Sequence, residues 1–123
     1  MEIDVINLKE HGKVIIEGYN NIIVGSGIRM GMWYGKVKKF LNNKFTKKNL
    51  AIFISSGKAG TDKQQAIDLY INKLLEKRPH LKPFSVEAFG GWYKKGEEIT
   101  KNFRDPEKVK QWANILGKKF SSF

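Results

Sequence analysis

Three short apolar segments, each leading into small residues, constrain the fold of this chain more than any other feature. They span residues 22–25, 50–54 and 84–89, and the residues that follow are Ser26-Gly27, Ser55-Ser56-Gly57 and Gly90-Gly91. The first two segments are apolar without alternation, as is typical of strands buried on both faces of a parallel sheet. The third is less uniformly apolar, which predicts a more exposed position or a sheet edge.

Apolar residues at helical spacing separate and follow these strands. They predict one helix over about 36–45 and a second that begins at a capping box of Thr61 and Gln64 and ends before Pro79. Asp105 as N-cap and Pro106 at the first helical position predict a final helix. The apolar stripe of the second helix is Ala66, Ile67, Tyr70, Ile71, Leu74 and Leu75, and that of the last is Val109, Trp112, Ala113, Leu116 and Phe120.

The remaining segments complete the predicted topology. Apolar residues within 3–8 predict a further strand near the start of the chain, whereas the polar residues 94–104 predict irregular structure. Strands that alternate with helices indicate βαβ units with right-handed crossovers. We therefore predict an α/β fold, an open three-layer parallel sheet of about four strands with helices on both faces, in a single domain over residues 1–123.

This topology predicts where a ligand would bind. Loops 25–35, 55–61 and 90–93 each follow a strand, so in a parallel sheet they all emerge at the carboxyl edge. Ligands of open α/β sheets bind at that edge. Three glycine-containing loops there predict a binding site.

Composition excludes several kinds of site. The chain has no cysteine, and its two histidines, His11 and His80, have no partners at ligand spacing, so we expect neither disulfides nor a metal centre. We find no catalytic residues, because no nucleophile motif or carboxylate pair is present. No apolar run approaches the ~20 residues that a membrane span needs, and we predict a soluble cytoplasmic protein.

The net charge of +11 raises the question of an anionic partner. The lysines are spread along the chain and do not cluster, which favours solvated helix faces over a nucleic-acid interface. Nucleic acid is therefore the least favoured partner, because only the net charge supports it.

Residues 19–41 resemble a flavodoxin-like domain, specifically the branch of menaquinone-dependent protoporphyrinogen oxidases and their archaeal flavodoxin-domain relatives. The distinctive match is Val24-Gly25-Ser26-Gly27-Ile28-Arg29-Met30-Gly31, followed by an aromatic residue and a helix containing Lys38-Lys39-Phe40. A second match begins at Asp105-Pro106-Glu107 and ends at Trp112-Ala113, and residues 1–8 resemble the second strand of that family. The resemblance therefore covers nearly the whole chain.

This resemblance implies an FMN-binding flavoprotein for electron transfer or flavin-dependent oxidation, with a redox partner or a quinone- or porphyrin-type substrate. Carried over by position, two loops would hold the flavin ring, and their residues are Ser26, Gly27, Ile28, Arg29, Gly31, Trp33, Ser55, Ser56, Gly57, Ala59 and Gly60. Trp33 or Tyr34 would stack on the ring, or Trp33 would pack beneath its own helix. Arg29 would offset negative charge on the reduced flavin or on a substrate, or form a surface ion pair.

The sequence departs from the family at its start. Flavodoxins open with a strand and a phosphate-binding loop, and nothing before Glu2 supplies them, so we expect an N-terminally shortened domain. In the strand order 2-1-3-4-5 the missing strand is central. Three arrangements stay open: a shortened gene product, a homodimer or second chain that supplies the strand, or direct pairing of residues 2–8 with 22–25. The alternative function is a flavin-free module of the same fold that binds a protein partner or an acidic ligand.

Overall fold

The computed structural model describes residues 3–11, 13–95, 98–102 and 105–123. Its main sheet has four strands in the order β2-β1-β3-β4. β1 pairs in parallel with β3, β3 pairs in parallel with β4, and β2 returns antiparallel to the end of β1. The strands are β1 (Asn21–Arg29), β2 (Met32–Trp33), β3 (Asn49–Ser56) and β4 (Ser85–Gly90).

Helices connect the parallel strands, and a separate antiparallel hairpin follows the sheet. Its strands are β5 (Trp92–Lys95) and β6 (Glu98–Asn102). The helices are α1 (Gly35–Phe40), α2 (Gly57–Thr61), α3 (Lys63–Ala66), α4 (Lys73–Glu76) and α5 (Pro106–Ser122). A π-helical segment, Ile67–Asn72, joins α3 to α4. Ala66 and Ile71 lie five residues apart and are both fully buried. Hydrogen bonding from i to i+5 in a π-helix brings residues at this spacing to the same side of the segment.

The core lies on both faces of the sheet. On one face, side chains of β1 and β3 such as Val24 and Ile52 pack against α1 and α4. On the other face, α5 packs against β3 through Trp112 and Leu116, and the Trp112 indole N–H donates to the Ser85 hydroxyl at 3.1 Å. The predicted open α/β sheet with helices on both faces is therefore confirmed.

Several predicted elements differ from those observed. Residues 3–8 are not a strand: residues 3–7 have no regular secondary structure, Leu8 is in a turn, and no described strand pairs with them. Met1 and Glu2 lie outside the described residues. The irregular structure predicted for 94–104 is wrong for residues 94–95 and 98–102, which belong to β5 and β6, while residues 96–97 and 103–104 lie outside the described part of the chain.

Two predicted boundaries are also corrected. α1 ends at Phe40 and does not reach residue 45, since Asn43 bonds back to the Phe40 carbonyl through both its backbone and its side chain. The capping box of Thr61 and Gln64 does not form. Asp62 is the N-cap of α3, where its carboxylate accepts from the Gln65 N–H at 3.0 Å, and the Thr61 hydroxyl donates to the Lys58 carbonyl. The N-cap at Asp105 is confirmed by the bond from the Lys108 N–H.

Candidate functional site at the carboxyl edge of the sheet

The parallel register brings the ends of three strands together at one edge. Gly27 of β1 pairs with Ser55 of β3, and Ser56 of β3 pairs with Gly90 of β4. The Gly91 N–H extends this row by donating to the Ser56 carbonyl at 2.9 Å. The sequence therefore located the shared edge correctly, because parallel strands that end in small residues align their ends.

The first predicted loop is mostly strand. β1 continues to Arg29 and turns back through Met30 and Gly31 into β2, so Ser26–Ile28 are strand positions and not loop positions. Both turn residues have positive φ, 53° at Met30 and 75° at Gly31. Such a pair forms the two-residue turn that matches the twist of a hairpin.

The side chains of this hairpin have different environments. Ser26 is buried, and its hydroxyl donates to the Gly27 carbonyl at 2.8 Å. Ile28 is half-buried in the core cluster of Ile54. Arg29 is exposed beside the turn. Of the polar side chains among these residues, the Arg29 guanidinium is therefore the one directed to solvent at this edge.

The two aromatic residues after the hairpin lie in different places. The Trp33 indole is half-buried and packs against two parts of the core, one around Val24 and the other around Ile54. Its N–H donates to the Tyr70 carbonyl at 3.1 Å. Tyr34 is 37% exposed, and its ring lies 3.4 Å from where a Cβ on Gly27 would stand. The aromatic face available beside β1 thus belongs to Tyr34. The predicted flavin contact of Trp33 stays a prediction.

The second predicted loop is the junction of β3 and α2. Ser56 is buried and caps α2, since its hydroxyl accepts from the Ala59 N–H at 3.1 Å. The Ser55 hydroxyl lies 3.5 Å from the Gly90 carbonyl. Gly57 opens α2, Ala59 packs on the core, and Gly60 is exposed. The two predicted loops are therefore adjacent in space, although most of their polar side chains already have partners.

A slot that the sequence did not predict lies along the other side of β1. It has a volume of about 410 Å³ and separates β1 from residues 4–9. The charged residues that line it are Asp4, Lys9 and Lys36, and Tyr34 lies near the end of β1. The usable signal was the apolar composition of residues 3–8, which the structure leaves without a strand partner.

Charge at this end of the sheet is mostly positive and mostly engaged. The Lys36 ammonium donates to the Lys9 carbonyl at 2.8 Å, and the Lys9 ammonium lies 5.5 Å from the centre of the Tyr34 ring. Lys63 forms an ion pair with Glu87 at 2.6 Å. Within the described residues no group of three or more acidic or histidine side chains has the arrangement of a metal site.

These residues fit part of a flavin nucleotide. The Tyr34 ring lies against Gly27 and is 37% exposed, so its accessible surface at the carboxyl edge suits a planar ring. The ammonium groups of Lys9 and Lys36 line the slot along β1 and not the loop after β3, so they do not form a phosphate cradle with that loop. The site therefore fits the ring of FMN and leaves its phosphate without an evident pocket.

One comparison with known proteins identifies the family of the chain. None of the curated proteins and none of the solved structures matches the chain. In the part of the chain that the structure describes, no helix combines the length and the apolar composition that a bilayer crossing requires. A family model described as "Flavodoxin domain" matches residues 1–103, most of the 123-residue chain. With that match, and with a parallel sheet whose strand ends share one edge, this chain belongs to the flavodoxin domain family.

Proposed function

We propose that the chain binds FMN and serves in electron transfer or in flavin-dependent oxidation. The observation that carries the proposal is the alignment of Gly27 with Ser55 at the carboxyl edge of a flavodoxin-family sheet. Flavin when bound supplies one- and two-electron chemistry, and the protein supplies orientation and electrostatics. The family match supports flavin-dependent electron transfer as the general role.

Each residue of the proposed site has a distinct task. Gly27 has no side chain, so the Tyr34 ring can lie against the strand at this position. The exposed Tyr34 ring offers a stacking face, an interaction worth ~0.5–1.5 kcal/mol beyond buried area. The exposed Arg29 guanidinium offsets negative charge on a reduced ring or on a carboxylated substrate.

The finer proposal concerns the substrate. The resemblance of residues 24–31 to protoporphyrinogen oxidases favours a quinone or a porphyrin-type substrate over a small protein as the redox partner. The hairpin tip supports this proposal, since Met30 is 91% and Met32 65% exposed, and both can contact a large apolar ring.

Flavin titration tests the proposal directly. We expect FMN fluorescence to be quenched as the protein is added, and Gly27→Val to weaken binding about tenfold or more, equal to ~1.4 kcal/mol. The added side chain would enter the space beside the Tyr34 ring, which lies 3.4 Å from the new Cβ, and its methyl groups would displace the proposed stacking face. Gly117→Ala on α5 is the matched control, because a Cβ there meets nothing within 4 Å. Absence of quenching up to ~1 mM protein, a concentration that reveals binding as weak as ~4 kcal/mol, would contradict the proposal.

The alternative function is a flavin-free module that binds a protein partner. The slot along β1 is the observation that favours it, because apolar side chains and the edge of β1 both line it and together suit a peptide. Protein that shows no flavin binding yet binds a peptide in the slot would favour this alternative.

A further inference from the structure

In the part of the chain that the structure describes, the outer edge of β1 has no strand partner over most of its length. The Asn20 carbonyl accepts from the Asn49 N–H, and strand residues direct their backbone groups alternately to the two sides. The backbone groups of Asn21, Ile23, Gly25 and Gly27 therefore face away from β3. Among the described residues, β2 is the strand on that side, and it pairs only with Ile28 and Arg29.

Residues 4–9 lie across the slot and run in the same direction as β1. Near the start of β1, the Tyr19 hydroxyl donates to the Asp4 carboxylate at 2.5 Å. Near its end, Lys9 is held by the bond from Lys36 and lies over the Tyr34 ring. Residues 4–9 are thus tied to the body of the protein at both ends and separated from β1 between them.

The slot has the surface that a β-strand would need in order to bind there. Its apolar lining includes Leu8, Ile16, Val24, Val37 and Phe40. Ile6 remains 40% exposed and Ile23 48% exposed at its mouth. An unpaired strand edge next to exposed apolar side chains is a template for another strand. The free edge from residue 21 to residue 27 suits about six residues at ~3.3 Å each.

The charged side chains at the two ends of the slot have opposite signs. Asp4 lies at the end near the start of β1, and Lys9 and Lys36 lie at the opposite end. A strand parallel to β1 would place its carboxyl end between the two lysines. Acidic residues there would be attracted, and a basic residue at the amino end would lie near Asp4.

We propose that the slot receives an extended apolar strand from a different polypeptide, parallel to β1 and followed by acidic residues. The strand would pair with the free edge of β1 and cover the apolar lining. A second copy of this chain is a poorer occupant, because each copy carries a net charge of +11 and the two would repel. This proposal does not depend on flavin binding.

Site-specific crosslinking tests both the occupancy and the direction. The chain has no cysteine, so Asn21→Cys and Gly27→Cys each introduce a single thiol. The probe is a peptide of about nine residues: one lysine, five alternating valine and threonine residues, two glutamates, and one cysteine at either the amino or the carboxyl end. We expect Asn21→Cys to form a disulfide about tenfold faster with the amino-end cysteine, and Gly27→Cys with the carboxyl-end cysteine, because proximity raises the effective concentration. Lys110→Cys on α5 is the control and should show no preference.

Charge reversal provides the second measurement. The variant carrying Lys9→Glu and Lys36→Glu should bind this peptide about tenfold more weakly, and should prefer a peptide that ends in two lysines. Thermal unfolding of each variant establishes that it is folded. The opposite crosslinking pattern would overturn the parallel direction. Equal crosslinking at all three thiols, or a dimer in light scattering that excludes the peptide, would overturn the proposal.

Discussion

At the scale of single residues, Gly25 allows the closest approach in the sheet. A Cβ at Gly25 would lie 2.0 Å from the Cζ atom of the Phe53 ring. The centre of the Phe53 ring lies 6.0 Å from the centre of the Phe89 ring and 5.6 Å from that of the Trp112 ring. Phe53 therefore has little room to move. Gly25→Ala should therefore lower the free energy of unfolding by ~1–3 kcal/mol through overpacking, measured by urea denaturation.

Two further variants make this prediction specific. Gly18→Ala should change stability by less than ~0.5 kcal/mol, since a Cβ there meets nothing within 4 Å. Phe53→Leu combined with Gly25→Ala should cost less than the sum of the two single changes, because the smaller side chain leaves room for the methyl group. If the free-energy changes of the two single variants simply add in the double variant, the contact assigned between position 25 and the Phe53 ring would be contradicted.

Tyr19 gives the segment beside the slot a dependence on pH. The bond to the Asp4 carboxylate favours the neutral phenol and raises the pKa of Tyr19 above its usual value of 10.0. A raised folded-state pKa contributes stability that is complete below the unfolded pKa and is lost as pH rises through the folded pKa. We expect the tie between Asp4 and Tyr19 to hold at neutral pH and to release above about pH 10.

Alkaline difference spectra measure this effect. The tyrosinate absorbance of the parent protein minus that of Tyr19→Phe should show a transition above the ordinary tyrosine range. Asp4→Asn should bring that transition down, because it removes the negative charge while keeping an acceptor. An unchanged transition in Asp4→Asn would show that the pair does not form.

At the scale of elements, the β1–β2 hairpin carries strain at Met30. Its φ of 53° is in the left-handed region, and its side chain is 91% exposed, so little packing compensates for that backbone conformation. Met30→Asn should raise the free energy of unfolding by ~0.5–1 kcal/mol, because asparagine adopts this conformation readily and Asn-Gly is a preferred hairpin turn. Met30→Val should lower it, because a β-branched residue is disfavoured there. Equal stability of both variants in urea denaturation would contradict the assigned turn.

The elements also show how far sequence reasoning extends. Apolar runs located β1, β3 and β4 near residues 22, 50 and 85. The run is continuous in β3, because this central strand is buried along most of its length. Asp105-Pro106 located α5, because capping is a local interaction. The same reasoning read Gly25-Ser26-Gly27 as a loop, although glycine at position 25 is required by the Phe53 ring across the sheet. That contact is not local, so the sequence near Gly25 does not reveal it.

Two segments show that composition alone does not decide whether a strand forms. They are residues 3–8 and the hairpin of β5 and β6. Residues 3–8 have the composition of a strand but no neighbour to pair with, and pairing, not composition, completes a strand. The polar segment after Trp92 pairs with itself as β5 and β6, since a hairpin needs only a partner close in sequence. Within the candidate site, the sequence predicted the shared edge, but not the slot, which depends on the position of residues 4–9.

At the scale of the whole molecule, the open edge of β1 follows from how the layers are placed. α5 covers β3 and β4 through Trp112, Leu116 and Phe120, and these contacts do not reach the outer part of β1, where Ile23 is 48% exposed. The slot and the carboxyl edge meet near Gly27 and Tyr34. A strand bound in the slot would therefore end beside the proposed flavin ring, so that partner binding would affect flavin binding. This coupling rests on both proposals.

Net charge should make the stability of the whole chain depend on salt. A charge of +11 on 123 residues produces self-repulsion in the compact state, and among the described residues Lys63 and Glu87 form a salt bridge that screening would weaken. An exposed pair is worth only ~0–1 kcal/mol, so loss of repulsion should dominate when salt shortens the Debye length from ~30 Å at 0.01 M to ~10 Å at 0.1 M. We expect the midpoint of thermal unfolding to rise over this range. Replacing the exposed Lys44, Lys73 and Lys110 with glutamine should reduce that rise, and a midpoint that falls with salt would show that attractive pairs outweigh repulsion.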